Sequence, residues 1–279
     1  MYGTKLCLGV SDTYGLPEEE QISLIKKAGF DAFFIGWYRG LNMCKIRNHA
    51  DSVGIEIQSV HAPFGKSADM WTEGEQANEA VCELLDCIDE CSKAKVDIIV
   101  CHTIIGFDKF EPNDTGIKNY KKVVEAAKSK GISIAFENTE GEVYLQKIMN
   151  EFKDYDNVGF YWDSGHEQCY NKGRDMLALY GDRLIATHLN DNLGISDFGG
   201  EITWTDDLHL LPFDGIIDWV NAVKRLNKCG YDGILTFELN KESKPNRHDN
   251  DKYNRIKIEE YIAECYNRAC RIAQLKRNV

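Results

Sequence analysis

No apolar run among the 279 residues approaches the roughly 20 needed to cross a bilayer, so a membrane-spanning role is not expected. Nor is there a Cys-x-x-Cys pair, although the chain has ten cysteines. Cys82, Cys87 and Cys91 fall inside a helical pattern, while Cys7, Cys101 and Cys169 lie in or just after strand-like runs. Free cysteine behaves as a small buried hydrophobe, and a disulfide framework is not expected in a chain this long without an export signal. The opening "MYGTKLCLGVSDTYG" has one lysine and a short apolar run ending at Ser11–Asp12, which reads as a first strand and not a signal peptide. The cytoplasm is the expected compartment. Positive charge is also in deficit: 33 Lys and Arg against 45 Asp and Glu leave a net charge of −12. That disfavours non-specific binding to nucleic acid or anionic membranes. Between positions 184 and 223 there is no Lys or Arg at all, which argues for an unphosphorylated substrate. No Pro/Gly/Ser-rich linker divides the chain.

What is present is an alternation of short β-rich runs with longer segments of helical period. With 43% hydrophobic and 28% charged residues, the chain can bury a sizeable core. Strands are expected at 5–11, 32–37, 56–61, 97–102, 133–137, 158–163, 184–188 and 234–238. Amphipathic stretches such as "PEEEQISLIKKAG" separate them: Pro17 suits the first turn, three glutamates suit the helix N-terminus, and Gly29 suits the cap. A weak repeat supports this rhythm. "KKAGFDAFFIGW" (26–37) matches "NKCGYDGILTFEL" (227–239), and "SKAKVDIIVCH" (92–102) is a looser copy. Strand–helix units with near-continuous apolar strands imply a parallel sheet covered by helices. Eight of them predict an α/β fold, a single (β/α)8 TIM barrel over 1–279. The segment 192–213, "NLGISDFGGEITWTDDLHLLPF", breaks the rhythm and is expected to lie over the C-terminal mouth.

Several of these apolar runs break off into potential metal ligands. "LIATHLNDN" (184–192) ends in His188, "ISIAFENTE" (132–140) stops at Glu137, "VGFYWDSGH" (158–166) at Asp163 and His166, and "GILTFELN" (233–240) at Glu238. Of seven histidines, His61, His102 and His188 close expected strands, His166 follows one and His209 lies in the long segment. One histidine at a strand end is ordinarily a satisfied structural residue. Five around one rim, with Glu137, Asp163, Asp207 and Glu238, require a cation to keep the gathered carboxylates charged.

The motifs "HAPF" (61–64), "CH" (101–102), "FEN" (136–138), "DSGH" (163–166), "HLND" (188–191), "DLHLLPFDGIIDW" (207–219) and "FEL" (237–239) stand in order at successive strand ends. Together the chain resembles the xylose-isomerase-like TIM barrels, which include sugar isomerases and epimerases, inosose dehydratases and endonuclease IV. The resemblance runs the whole length. It implies a shared metal site at Glu137, Asp163, His188 and Glu238, a hard donor set suiting one Mn2+, Mg2+ or Co2+ and tolerating Zn2+. In the sugar branch it implies a metal-stabilised enediolate, with Glu137 and Glu238 as catalytic groups that remove and return a proton. The plainer role for either glutamate is a ligand only. His166 would touch substrate oxygen or merely orient Asp163.

Other readings remain open. The nuclease branch would hold up to three Zn2+, using His61 and His102 with Glu137, and His166 with Asp207 and His209. Against it, Leu208 replaces an arginine of the nuclease pattern, Phe64 stands where a tyrosine is usual, and the neighbouring segment is acidic. Asp207 and His209 would otherwise be substrate contacts or a loop lock. A cyclic-polyol dehydratase and a non-catalytic metal-containing barrel complete the alternatives. The expected partner is a small-molecule sugar, with no nucleic acid and no membrane. Members of the family often form homo-oligomers, but no distinctive apolar patch assigns one here. Trp37, Phe64, Trp71, Trp162 and Trp204 are candidates to stack on a sugar, only one or two of them expected to do so. Lys66 and Arg39 are candidate anion contacts whose ordinary reading is solvated charge.

Overall fold

The computed structural model describes residues 3–107, 111–196 and 201–279. Eight strands form one sheet: β1 Leu6–Gly9, β2 Ala32–Gly36, β3 Glu56–His61, β4 Ile98–Cys101, β5 Ser133–Glu137, β6 Val158–Asp163, β7 Leu184–His188 and β8 Leu235–Phe237. Every ladder is parallel, in the order β7-β6-β5-β4-β3-β2-β1-β8. The two ends meet through a single parallel bridge between Leu189 and Phe237, where Leu189 N–H donates to the Thr236 carbonyl at 2.7 Å. The molecule is a single (β/α)8 TIM barrel, as the alternation predicts. β1, β2, β4 and β8 are shorter than expected, and Trp37, Asp97, His102 and Glu238 flank their strands instead of ending them.

The helices among the described residues are α1 Glu18–Ala28, α2 Met43–Val53, α3 Glu75–Lys93, α4 Asp114–Ser129, α5 Glu142–Glu151, α6 Ser164–Gln168, α7 Met176–Tyr180, α8 Trp219–Lys228 and α9 Ile258–Asn278. One departure from eight equal units lies between β6 and β7, where two five-residue helices replace one. On α1 the buried Ile22 and Ile25 are one helical turn apart and face the sheet.

The internal repeat has a geometric meaning, because its two better copies supply β2 and β8, the neighbours of β1 on either side. Gly29 (φ 117°) and Gly230 (φ 71°) end the preceding helices in the left-handed region. The looser copy has Lys95 there, at φ 54°, a conformation that costs a side-chain-bearing residue about 1–2 kcal/mol.

Residues 197–200 of the expected mouth segment lie outside the described residues. Its remainder is tied down. Asp191 and Leu210 form an antiparallel bridge, a short 3-10 turn spans Trp204–Asp206, and Asp206 accepts from Ser196 N–H at 3.0 Å and Thr203 N–H at 2.9 Å.

Candidate metal centre

Parallel strands in a barrel all finish on one face, so residues at their C-terminal ends converge. Glu137, Asp163 and His188 are the last residues of β5, β6 and β7, and Glu238 follows β8 directly. In barrel order these are four successive staves, with a glutamate at each end of the row. Donor atoms of the four lie within 4.8 Å of one another. His188 Nδ1 stands between the glutamates, 2.7 Å from Glu137 Oε1 and 3.2 Å from Glu238 Oε2.

The remaining candidates gather beside this row. His61 and His102 approach Glu137 Oε2 at 3.5 and 3.0 Å, and these three also hold donor atoms within 4.8 Å of each other. His166, Asp207 and His209 form a third such group: His166 Nε2 is 3.5 Å from Asp207 Oδ1, and His209 Nε2 is 2.6 Å from Asp207 Oδ2. His209 adopts φ 49°, and backbone strain of this kind persists where surrounding structure fixes a functional side chain. The other two histidines are elsewhere. His49 contacts Ser23 Oγ, and His248 pairs with Asp251.

A layer of amides orients the row. Asp163 accepts from His166 N–H at 2.6 Å and from Asn190 Nδ2 at 2.8 Å. Its own N–H donates to Asn138 Oδ1 at 2.8 Å, while Asn138 Nδ2 donates to the Asp163 carbonyl and to Asn171 Oδ1, both at 2.9 Å. Gly165 admits this arrangement, since a Cβ there would sit 1.9 Å from Asn190 Oδ1. Asn138 and Asn190 lie within the "FEN" and "HLND" motifs, but nothing in the sequence marks Asn171.

Asp191, also inside a motif, turns away from the row. Its buried carboxylate accepts from the N–H groups of Asn192 (3.0 Å), Phe213 (2.8 Å) and Ile217 (3.1 Å) and from Trp219 Nε1 (2.9 Å). It therefore pins the chain that carries Asp207 and His209.

Burial is the largest single influence on Glu137, Asp163, His166, His188, Asp207, His209, Glu238 and His102, and it opposes charge. Against it, His188, His102 and His61 hold the Glu137 carboxyl well below the usual range. His209 and His166 do the same for Asp207, and His188 and His209 lower Glu238. Reciprocally, Glu238 and Glu137 raise His188, Asp163 and Asp207 raise His166 well above its ordinary value, and Asp207 and Glu238 lift His209 to about 9. At His102 burial prevails and the value falls. Asp163 is pushed up to about 6 by burial and by Glu137, despite the pull of His166. Without a cation, the raised proton affinity of His166, His188 and His209 offsets the buried carboxylates, and Asp163 is left short of compensation.

This charge balance, and a compact set of three carboxylates with one imidazole, fits a divalent cation. Binding must expel protons. Metal affinity is therefore expected to rise with pH through about 6, where Asp163 ionises, and further as His188 loses its raised proton. Calorimetry in buffers of different ionisation enthalpy reads the protons released. An affinity that is flat between about pH 5 and 8 contradicts the assignment.

The family model described as xylose isomerase-like TIM barrel matches residues 22–260. The chain belongs to the xylose isomerase-like TIM barrel family. Uncharacterized protein y4fM of Sinorhizobium fredii is 31% identical over 263 residues, covering 88% of this chain and 79% of its own. Two solved structures share the xylose isomerase-like fold. One is the IOLI protein with a binding zinc atom, at 20% identity, TM-score 0.76, and coverage of 97% of this chain and 98% of its own. The other is a D-tagatose 3-epimerase-like protein, at 24% identity, TM-score 0.67, and coverage of 93% and 98%.

In this xylose isomerase-like barrel the row opens into a cavity of about 330 Å3, whose walls include His61, His102, His166, Asp207, His209 and Glu238. Its volume lies at the small end of ligand sites, which run from about 300 to 1,000 Å3. Of the aromatic candidates, Phe64 and Trp204 line it and are 43% and 54% exposed. Phe64 stacks on His102 with ring centroids 4.7 Å apart. Trp37, Trp71 and Trp162 are core residues. Trp71 Nε1 donates to the Thr103 carbonyl, and the Trp162 ring lies under Arg225 at 5.3 Å. Lys66 pairs with Glu79 and Glu83, and Arg39 with Glu79 and Asp86, outside the cavity. Among the described residues the lysine that does line it is Lys244, and Tyr170 and Glu140 line it too; no strand-end pattern in the sequence marks these three. No helix among the described residues is long and apolar enough to cross a membrane.

Proposed function

We propose that this protein is a divalent-metal-dependent isomerase or epimerase acting on a small sugar. The observation that carries this is the pair Glu137 and Glu238 at opposite ends of the four-residue row, both within reach of His188 Nδ1. Glu137, Asp163, His188 and Glu238 would hold the cation, which when bound supplies Lewis-acid polarisation of a carbonyl. The chain's own groups then differ in role. Glu238 lines the cavity and its side chain is 27% exposed, so it can meet a carbon-bound proton directly. Glu137 is fully buried, with Oε1 against His188 and Oε2 against His102, and is the better fixed ligand and electrostatic anchor. Epimerisation needs proton return on the opposite face, a position that Glu137 or His166 would serve. Phe64 and Trp204 offer faces for the C–H surface of a sugar and help exclude water.

The IOLI protein with its zinc atom and the D-tagatose 3-epimerase-like protein support metal-assisted sugar chemistry on this fold. One observation favours the phosphodiesterase reading: two further groups of three donors are also assembled, His61/His102/Glu137 and His166/Asp207/His209. Against it, Leu208 is buried where the nuclease pattern has its arginine, and among the described residues that line the cavity Lys244 is the only Lys or Arg.

The test is solvent exchange. Incubation with ketopentoses and ketohexoses in D2O is expected to place deuterium next to the carbonyl. Chelation should abolish this, and Mn2+, Co2+, Mg2+ or Zn2+ should restore it. Exchange that is indifferent to chelators sinks the proposal, and three metals per chain with nicking of abasic DNA replaces it by the nuclease reading.

A further inference from the structure

Besides residues of the carboxylate–histidine cluster, the cavity is lined by Phe64, Ile105, Glu140, Tyr170, Trp204 and Lys244. Lys244 comes from the segment between β8 and α9. Its side chain is only 18% exposed, and its ammonium lies 5.5 Å from the centroid of the Trp204 ring. The nearest acid is Asp207 Oδ2 at 3.7 Å, beyond hydrogen-bond reach, and that carboxylate is already engaged by His209 at 2.6 Å and faced by His166 at 3.5 Å. An ammonium carries three donors, and a largely buried one without an acceptor is costly. Three successive contacts, of 3.7, 2.6 and 3.4 Å, lead from Lys244 through Asp207 and His209 to Glu238 Oε2. The ammonium thus stands in the lining of a monosaccharide-sized cavity, with the Asp207–His209 pair between it and Glu238.

Resting on the isomerase reading, we infer that Lys244 receives a carboxylate at the end of the substrate remote from the metal centre, so that the preferred substrates are keto-sugar acids. Among the described residues, the charge around Lys244 favours a carboxylate over a phosphate. One ammonium matches one negative charge. A phosphate dianion would find no arginine among the described lining residues and would face Glu140, whose Oε1 accepts the Gly106 N–H at 2.8 Å. The Trp204 ring faces the Lys244 ammonium at 5.5 Å, a cation–π contact that leaves its N–H donors without an acceptor.

The experiment uses the metal-loaded protein with three probe classes: D-fructuronate and D-tagaturonate, D-fructose and D-tagatose, and the two ketohexose 6-phosphates. Binding is read by calorimetry and turnover by exchange in D2O. The keto acids are expected to bind most tightly. Lys244→Gln should lower the acid-to-neutral affinity ratio by about ten- to a hundredfold, and Lys244→Arg should keep most of it. Melting temperature and metal content of the variants check folding. Neutral ketoses that bind and exchange as well as the acids, with a ratio unmoved in Lys244→Gln, overturn the carboxylate subsite and leave the isomerase reading standing. Tighter binding of the phosphates, or binding of none of the probes, overturns it as well. Preferential, Lys244-dependent binding of the acids without any exchange upholds the subsite and removes the isomerase reading.

Discussion

Replacing Glu238 by Gln is expected to slow deuterium uptake into a ketose by about 10²- to 10⁴-fold, while the protein still binds a metal ion. The expectation follows from the asymmetry of the two glutamates. Glu238 faces the cavity, whereas Glu137, Asp163 and His188 are entirely buried and remain as three donors. Three protein ligands suffice for a catalytic metal. Glu137→Gln should behave differently, because its carboxylate meets His61, His102 and His188. Losing that charge should weaken metal binding by at least about tenfold, and the exchange rate should fall with metal occupancy. The pair is separated by measuring bound metal and exchange on the same samples. If Glu238→Gln exchanges at the unaltered rate, that residue is a ligand and nothing more.

The second large effect is structural. Asp191→Ala is expected to destabilise the fold by at least about 3 kcal/mol, because it strands buried donors at roughly 1–3 kcal/mol each. The orphaned groups would be the Asn192, Phe213 and Ile217 amides and Trp219 Nε1. For a domain of this size that corresponds to a fall of roughly 10 °C in melting temperature. Asp191→Asn should recover only part of it, since an amide offers one acceptor oxygen where four donors converge. Both variants should also loosen Asp207 and His209. A melting curve of Asp191→Ala superposed on that of the unaltered protein would refute this account.

The barrel was legible in the sequence because parallel strands buried on both faces leave nearly unbroken apolar runs, and polar residues stand out where those runs stop. That pattern located Glu137, Asp163 and His188, and the four-residue row follows from the fact that all strands end on one face. It carried less about direction. Asp191 is three residues beyond His188, yet its carboxylate points away from the centre, and nothing in "HLND" distinguishes a ligand from a peg. Trp37 and Trp204 both belong to the mouth by position; one is packed and the other is open, because loop path decides that. Lys244 escaped notice for the same reason. A lysine in a polar segment is ordinarily solvated, and only the return of that segment toward Trp204 makes it part of the cavity.

The bridge between Leu189 and Phe237 is the thinnest join in the sheet, and His188 and Glu238 stand on its two sides. An ion held by those two residues, as proposed, would also lace the two edge strands β7 and β8 together. Removing that ion would then loosen the closure of the cylinder as well as empty the proposed centre.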